Sequence, residues 1–263
     1  MDKISKNYVG LVKELSITYF KLKYQGSVLG YFWSLVKPIM LFLVLLFVFT
    51  RIFRVGGSIE HYPVYLLLGI VIWGFFSEIT AISLGAIVEN GDLIRKVYFP
   101  RIVLVIARSV TSLMVFALNL LVVIAFMLFE KIMPGLSSIL VLGLILELFI
   151  LATGIGLILS SLFVRYRDIA HIWEVAMTAA FYATPILYPL SLAPKRFAGF
   201  LMLNPMAQII QDMRYLLITK QSATALGSLP LTLAWMPYAI PLLIFTFGYW
   251  LFNKSSAKFA EEV

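Results

Sequence analysis

The chain has 263 residues, of which 62% are hydrophobic and only 13% charged, with a mean hydropathy of +0.98 and a formal net charge of +8. Soluble domains carry about 25% charged residues, so the composition excludes a water-soluble globular fold, a disordered chain and, despite the positive charge, a nucleic-acid-binding domain. An all-α, polytopic membrane protein is what remains.

At roughly 20 residues per span, the length leaves room for six transmembrane helices and one longer excursion, with no large extramembrane catalytic domain. The chain has no cysteine and two histidines, His61 and His171. That removes disulfides, a thiol nucleophile, thiolate metal sites and a histidine-rich centre. A transmembrane barrel would show alternating segments of about ten residues, whereas these apolar runs are continuous and longer.

Residues 1–27 are predicted to form an amphipathic interfacial helix and its junction. Ile4, Tyr8, Leu11, Val12, Leu15, Tyr19 and Leu22 recur at helical spacing, with Lys6, Lys13, Glu14 and Lys21 off the stripe. Such a helix lies in the headgroup region with its lysines towards anionic lipid; a soluble arm packing on a partner is the alternative. The transmembrane domain is predicted over 28–263. Five lysines precede its first apolar run, which argues against a cleavable signal peptide.

The first span is predicted from Val28 to Phe49, followed by a polar loop with Gly56 and Gly57. The second runs from Tyr62 to Val88. A connector at 89–101 turns at Asn90-Gly91 and enters a short helix capped by Asp92. The third span covers Ile102–Phe129, the fourth Leu136–Val164 and the fifth Ile172–Tyr188, the last two joined by a charged connector at 165–172. Phe197–Gln211 is apolar but too short to cross, and it breaks at Asn204-Pro205. It predicts a re-entrant helical pair within 190–217, an outer gate ahead of a sixth span from Leu231 to Phe252.

Lysine and arginine set the orientation. With six spans and the N-terminus inside, Lys3, Lys6, Lys13, Lys21, Lys23, Arg95, Lys96, Arg101, Arg165, Arg167, Lys254 and Lys258 face the cytoplasm. Arg51, Arg54, Lys131, Lys195, Arg196, Arg214 and Lys220 face out, four of them in the long excursion, where charge counts for less. The bias places both termini in the cytoplasm.

No Gly-Lys dipeptide occurs, so the chain lacks a phosphate-cradling P-loop and cannot hydrolyse ATP by that route. Two distant histidines define no triad or ligand cluster. Ionisable residues inside spans are costly; Lys37, Glu78, Arg108, Glu147 and Glu174 qualify. Lys37, Arg108 and Glu174 lie where a side chain can snorkel, and Glu147, the deepest, is expected to face protein. Aromatics concentrate at span ends, including Tyr31 and Trp33 and, farther on, Phe181 and Tyr182. They read either as an interfacial belt or as a lining on which sugar faces slide.

The segment Lys21–Pro38 (KLKYQGSVLGYFWSLVKP) joins a basic anchor, Gly26 and Gly30 at four-residue spacing, an aromatic trio and Pro38. The glycines are expected to let backbones approach closely. With Ile94–Arg101 (IRKVYFPR), Arg165–Ile172 (RYRDIAHI) and the Leu203–Pro205 turn followed by Arg214, this segment resembles the permease subunits of bacterial ABC exporters for polysaccharides, most of all the O-antigen exporter permease. The resemblance runs in order along nearly the whole chain. It implies a homodimer in the inner membrane that carries two cytoplasmic ATPase subunits. Those subunits would bind ATP and magnesium, and this chain no cofactor. It further implies a channel for undecaprenyl-diphosphate-linked glycan. Tyr31, Trp33, Phe181 and Tyr182 would line it, and Arg95, Lys96, Arg165, Arg167, Asp168 and His171 would couple it to the ATPase. A permease for capsule, teichoic acid, drug or lipid on the same scaffold is the near alternative. A secondary transporter or membrane enzyme is the distant one, weakened by the absence of internal repeats, proton relays and catalytic clusters.

Overall fold

A computed structural model describes residues 2–27, 29–54, 59–192 and 194–259, with the side chains of 2–7, 195 and 196 outside that description. The predicted span start at Val28, the Gly56-Gly57 loop and the side chains of Lys3, Ile4, Lys6, Lys195 and Arg196 therefore lie outside the described residues. The elements are helical throughout: α1 (Asp2–Tyr24), α2 (Trp33–Phe47), α3 (Tyr62–Leu84), α4 (Gly91–Lys96), α5 (Ile102–Phe129) and α6 (Val141–Arg165) come first. Then follow α7 (Ile169–Ala183), α8 (Lys195–Met202), α9 (Pro205–Leu217), α10 (Ala225–Ser228) and α11 (Met236–Ser256). No strand occurs among the described residues.

Among the described residues, four helical stretches are long and apolar enough to cross a membrane: Gly30–Ile52, Tyr62–Leu84, Ile102–Phe129 and Leu136–Arg165. Helix α3 is apolar all round, which suits a fully surrounded helix, and it forms the centre of the main core with Leu66, Leu67, Ile72 and Ile79 inaccessible. The stretch containing α2 is equally apolar yet only 6% buried. Phe42 packs into the main core, and Met40, Leu41, Leu43, Val44 and Phe47 are exposed. Helix α7 departs from the predicted fifth span. It has 15 residues, about 22 Å at 1.5 Å per residue, and stops before an extended Thr184. Pro185 enforces that stop, because a residue preceding proline is driven out of the helical region.

Glycine sets the closest approaches. A Cβ on Gly154 of α6 would stand 2.7 Å from the Phe245 Cα of α11, and one on Gly248 would collide with the Gly154 carbonyl oxygen. Gly156 faces α3, where a Cβ would meet Ser83 Oγ at 2.6 Å. Gly26 and Gly30 behave otherwise than expected. Both hold positive φ, at 78° and 47°, and a Cβ on either would meet nothing within 4 Å. They turn the chain from α1 into α2 and make no close approach to another described residue.

The helix ends sort into two layers. At one end Ala86, Ile87, Ile94, Leu104, Val164, Phe252 and Phe259 share a cluster, so both connectors and the end of α11 lie together. At the other, His61 Nδ1 sits 3.1 Å from Glu130 Oε2, Ser138 Oγ donates to the Leu216 carbonyl at 3.2 Å, and Tyr62 Oη donates to the Leu187 carbonyl at 3.0 Å.

Candidate functional site

Helix α1 is fastened to the connector layer by polar contacts. Ser16, fully buried, donates to the Ala107 carbonyl of α5 at 3.1 Å, and Thr111 Oγ1 donates to the Ser16 carbonyl at 3.1 Å. The buried face is thus centred on Ser16, while Tyr8 and Leu22 of the expected stripe are exposed. Tyr19 Oη donates to Asn90 Oδ1 at 3.0 Å; burial pushes its phenol up, against the pull of the Arg108 guanidinium, and the hydroxyl stays a donor. Because Asn90 also donates to the Ala86 carbonyl, its side chain does not cap α4. Nor does Asp92, which lies inside that helix.

Two ion pairs complete the fastening. Lys23 Nζ is 2.6 Å from Glu78 Oε1, which also accepts from Ser112 Oγ at 2.9 Å. Arg108 meets Glu89 at 2.7 Å, donates to the Ile82 carbonyl at 2.8 Å and lies over the Tyr19 ring. Beside the first pair a cavity of about 320 Å³ opens, lined by Lys23, Trp33, Ser34, Lys37 and Asn119 among others. Tyr31 stacks on Phe20 with centroids 5.0 Å apart.

Tyr31 and Trp33 therefore stand at the α1–α2 junction, whereas Phe181 and Tyr182 close α7. Phe181 packs edge-on to Trp73 at 5.8 Å and to Tyr182 at 5.3 Å. Within one subunit the four aromatics form two groups, not one wall.

The proposed coupling residues share the connector layer. Arg95 and Lys96 end α4, and both are exposed. Arg165 ends α6, Arg167 lies over the Phe163 ring at 5.1 Å, Asp168 precedes α7, and His171 is exposed in its first turn. Tyr98, which the sequence reading passed over, is fully exposed. It borders a cleft of about 440 Å³ with Phe99, Arg101 and Phe252. An exposed aromatic amid cations is the form of a docking surface.

The opposite layer holds a polar assembly that sequence reasoning only touched. Asn204 caps α9 by accepting from Met206 N at 3.0 Å, with Pro205 in the first turn. Arg214 is fully buried and has no carboxylate among its hydrogen-bond partners. Its guanidinium donates to the carbonyls of Tyr65 (3.0 and 3.2 Å), Pro185 (2.7 Å) and Ile186 (2.7 Å) and lies 3.4 Å from the Tyr65 ring centroid. Counting Arg214 among the outward-facing cations is corrected accordingly. It is an internal brace. Two residues earlier, Asp212 accepts from Tyr238 Oη at 2.6 Å, Gln208 Nε2 at 2.9 Å and Ala225 N at 3.3 Å. Glu147 lies beside Gln208 and Asp212 with its Oε1 buried, so it does face protein. The i, i+4 spacing of Gln208 and Asp212 was the available signal.

The family model of the ABC-2 type transporter matches residues 11–218. An "O-antigen export system permease protein RfbA" of Myxococcus xanthus is 30% identical over 97% of this chain and 96% of its own. A protein of the same description from Klebsiella pneumoniae is 29% identical over 92% and 90%. The "Polysialic acid transport protein KpsM" of Escherichia coli is 26% identical over 76% and 78%.

Proposed function

Because the chain belongs to the ABC-2 type transporter family, we propose that it is the membrane channel subunit of an ATP-driven exporter of undecaprenyl-diphosphate-linked polysaccharide, of the O-antigen type, in a bacterial inner membrane. The observation that carries this is the near full-length likeness to permeases described as exporting O-antigen. A capsule-type glycan is the second reading, favoured by the shorter match to a polysialic acid transport protein.

The working unit in this reading is a homodimer with two separate ATPase subunits. The exposed apolar face of α2 and the short α7 supply the subunit contact and the conduit. Tyr31, Trp33, Phe181 and Tyr182 give the glycan weak, non-fixing contacts. Base–aromatic stacking is worth about 1–3 kcal/mol per contact, and sugar contacts at or below that range hold a polymer without trapping it. The connector layer faces the cytoplasm and receives the ATPase through Arg95, Lys96, Arg165, Arg167, Asp168 and His171. ATP and magnesium bind to that partner. Helices α8 and α9 enter the membrane from the outside as the gate.

The test replaces the chromosomal gene with leucine variants of the four aromatics and with Asp168→Ala, and follows surface glycan, subunit abundance and ATP turnover. Leucine keeps apolar burial and removes the ring face, so glycan should fall at normal abundance. Asp168→Ala should leave insertion intact and separate ATP turnover from export. Normal glycan in all five variants removes the assigned roles, and normal glycan in a strain lacking the chain removes the exporter reading.

A further inference from the structure

The cavity of about 320 Å³ beside the Lys23–Glu78 pair lies in the seam between the start of α2 and the packed helices α3 and α5. Helix α2 reaches the core through Phe42, its one buried residue among those described, which packs edge-on to Phe126 at 5.3 Å. The cavity lies before that contact, at Trp33, Ser34, Lys37 and Pro38. Much of the facing wall is apolar, with Ile70, Val71, Phe75, Val115 and Phe116. Gly74 of α3 also lines it, and a Cβ there would meet nothing within 4 Å. The bundle therefore leaves room at this point.

Lys23, Lys37 and Glu78 are the ionised side chains among the described lining residues. Glu78 holds Lys23 at 2.6 Å and accepts from Ser112 Oγ at 2.9 Å, so that pair is satisfied internally. Lys37 is exposed and has no hydrogen bond, ion pair or ring contact among the described residues. The lining is thus left with one uncompensated positive charge. Lys37 stands about 6 Å along the axis from Trp33 at 1.5 Å per residue, and tryptophan marks the head-group level of a membrane. An unpaired ammonium is costly in hydrocarbon, so an anion is expected beside it. The apolar wall selects what carries that anion. A small inorganic ion would leave Phe75 and Phe116 uncovered, and an acyl chain alone would leave Lys37 unmatched. An amphiphile with a single negative charge meets both needs. A phosphodiester has that charge, whereas a diphosphate brings excess negative charge to a wall that already holds Glu78. The volume is at the small end of ligand pockets, which run from about 300 to 1,000 Å³, so a head group fits and a whole two-chain lipid does not.

We propose that this cavity binds the head group of an anionic glycerophospholipid, with its phosphodiester on Lys37 and its first methylenes against Phe75 and Phe116. The site requires a chain that lies in a bilayer and is independent of what that chain exports. Full-length protein is exchanged into nanodiscs of equal phosphatidylglycerol and phosphatidylcholine, released into mild detergent and weighed intact by native mass spectrometry. Phosphatidylglycerol should stay bound in preference to phosphatidylcholine. Lys37→Gln should lower its retention about tenfold, the loss of one charge-assisted hydrogen bond, and Lys37→Arg should keep it. Lys13→Gln, at an exposed lysine of α1 outside the cavity, should retain the parental level and so control for general attraction to anionic lipid. Gly74→Leu should expel the lipid by filling the space from α3. Inorganic phosphate and farnesyl diphosphate are then added as competitors, and neither should displace the phospholipid. Displacement by inorganic phosphate would make this a simple anion site, and displacement by farnesyl diphosphate a lipid-diphosphate site; either overturns the proposal. So does equal retention of the two phospholipids, or parental retention of phosphatidylglycerol in Lys37→Gln.

Discussion

Replacing Arg214 by methionine tests whether α9 is held by a cation that has no carboxylate partner. The change keeps an unbranched apolar stem and removes every donor. The Pro185 and Ile186 carbonyls, each now receiving a 2.7 Å bond, lie outside the helices and lose those partners. Leaving a buried polar group unmatched costs about 1–3 kcal/mol, so two cost about 2–6 kcal/mol. Relief of the guanidinium's own desolvation acts in the opposite direction and brings the expected loss to about 2–4 kcal/mol. A second variant reaches the same contact from the other side. A Cβ on Gly69 would stand 2.6 Å from Arg214 Nη2 and 3.2 Å from Ile186 Cγ2, so Gly69→Ala should displace the guanidinium at about 1–3 kcal/mol, the usual range for overpacking. Gly74→Ala, on the same helix with nothing within 4 Å, is the control. The assay is thermal unfolding in nanodiscs, paired with labelling of a single cysteine at buried Ile210. Arg214→Met and Gly69→Ala should unfold earlier than Gly74→Ala and expose position 210. Parental unfolding temperature and an unlabelled position 210 in both variants would refute the brace.

Gly154→Ala must push α11 from 2.7 Å to at least the 3.4 Å of ordinary contact, at about 1–3 kcal/mol, whereas Gly143→Ala meets nothing; membrane abundance and melting temperature should fall in the first alone, and equal values would remove the crossing. Lys23→Glu sets two carboxylates together in place of a 2.6 Å ion pair and should reduce surface glycan. Adding Glu78→Lys should restore it, and failure to restore would show that Lys23 acts elsewhere, since a pair this exposed is worth only about 0–1 kcal/mol in stability. Single cysteines at exposed positions 258 and 220 should react with an impermeant reagent from inside and outside respectively; labelling of 258 from outside refutes the orientation.

The long elements were legible because continuous apolar runs bounded by charge leave a helix few alternatives. The third predicted span coincides with α5 at both ends, and the fourth ends one residue from α6. Asn204-Pro205 gave the α8–α9 break for a local reason, an amide cap followed by a residue suited to the first turn. The errors arose where local pattern yields to tertiary contact. Apolar spacing put Tyr8 and Leu22 on the packed face of α1, yet Ser16 is the residue that reaches α5. A small hydroxyl at a close crossing carries no hydrophobic signal. Gly26 and Gly30 had a packing spacing and a turn conformation, and spacing cannot tell those apart.

The polar layer was harder to read for a further reason. Arg214 looks like an outward-facing anchor because positive charge near a span end normally is one. Its actual role depends on backbone carbonyls from Tyr65, Pro185 and Ile186, and carbonyls are common to every residue. Sequence shows no preference for them. Side-chain partners leave more trace: Glu147 was placed facing protein because a carboxylate that deep has no inexpensive route to water. Even there the partners, Gln208 and Asp212, lie some sixty residues away, on an amphipathic helix too short to register as a span. Its charge pattern resembles that of a surface loop. What makes the layer a candidate gate is that one short helix carries both the Arg214 brace and the Asp212 network. Movement of α9 must break contacts to α3, α11 and the segment after α7 together, so the gate should open as a unit.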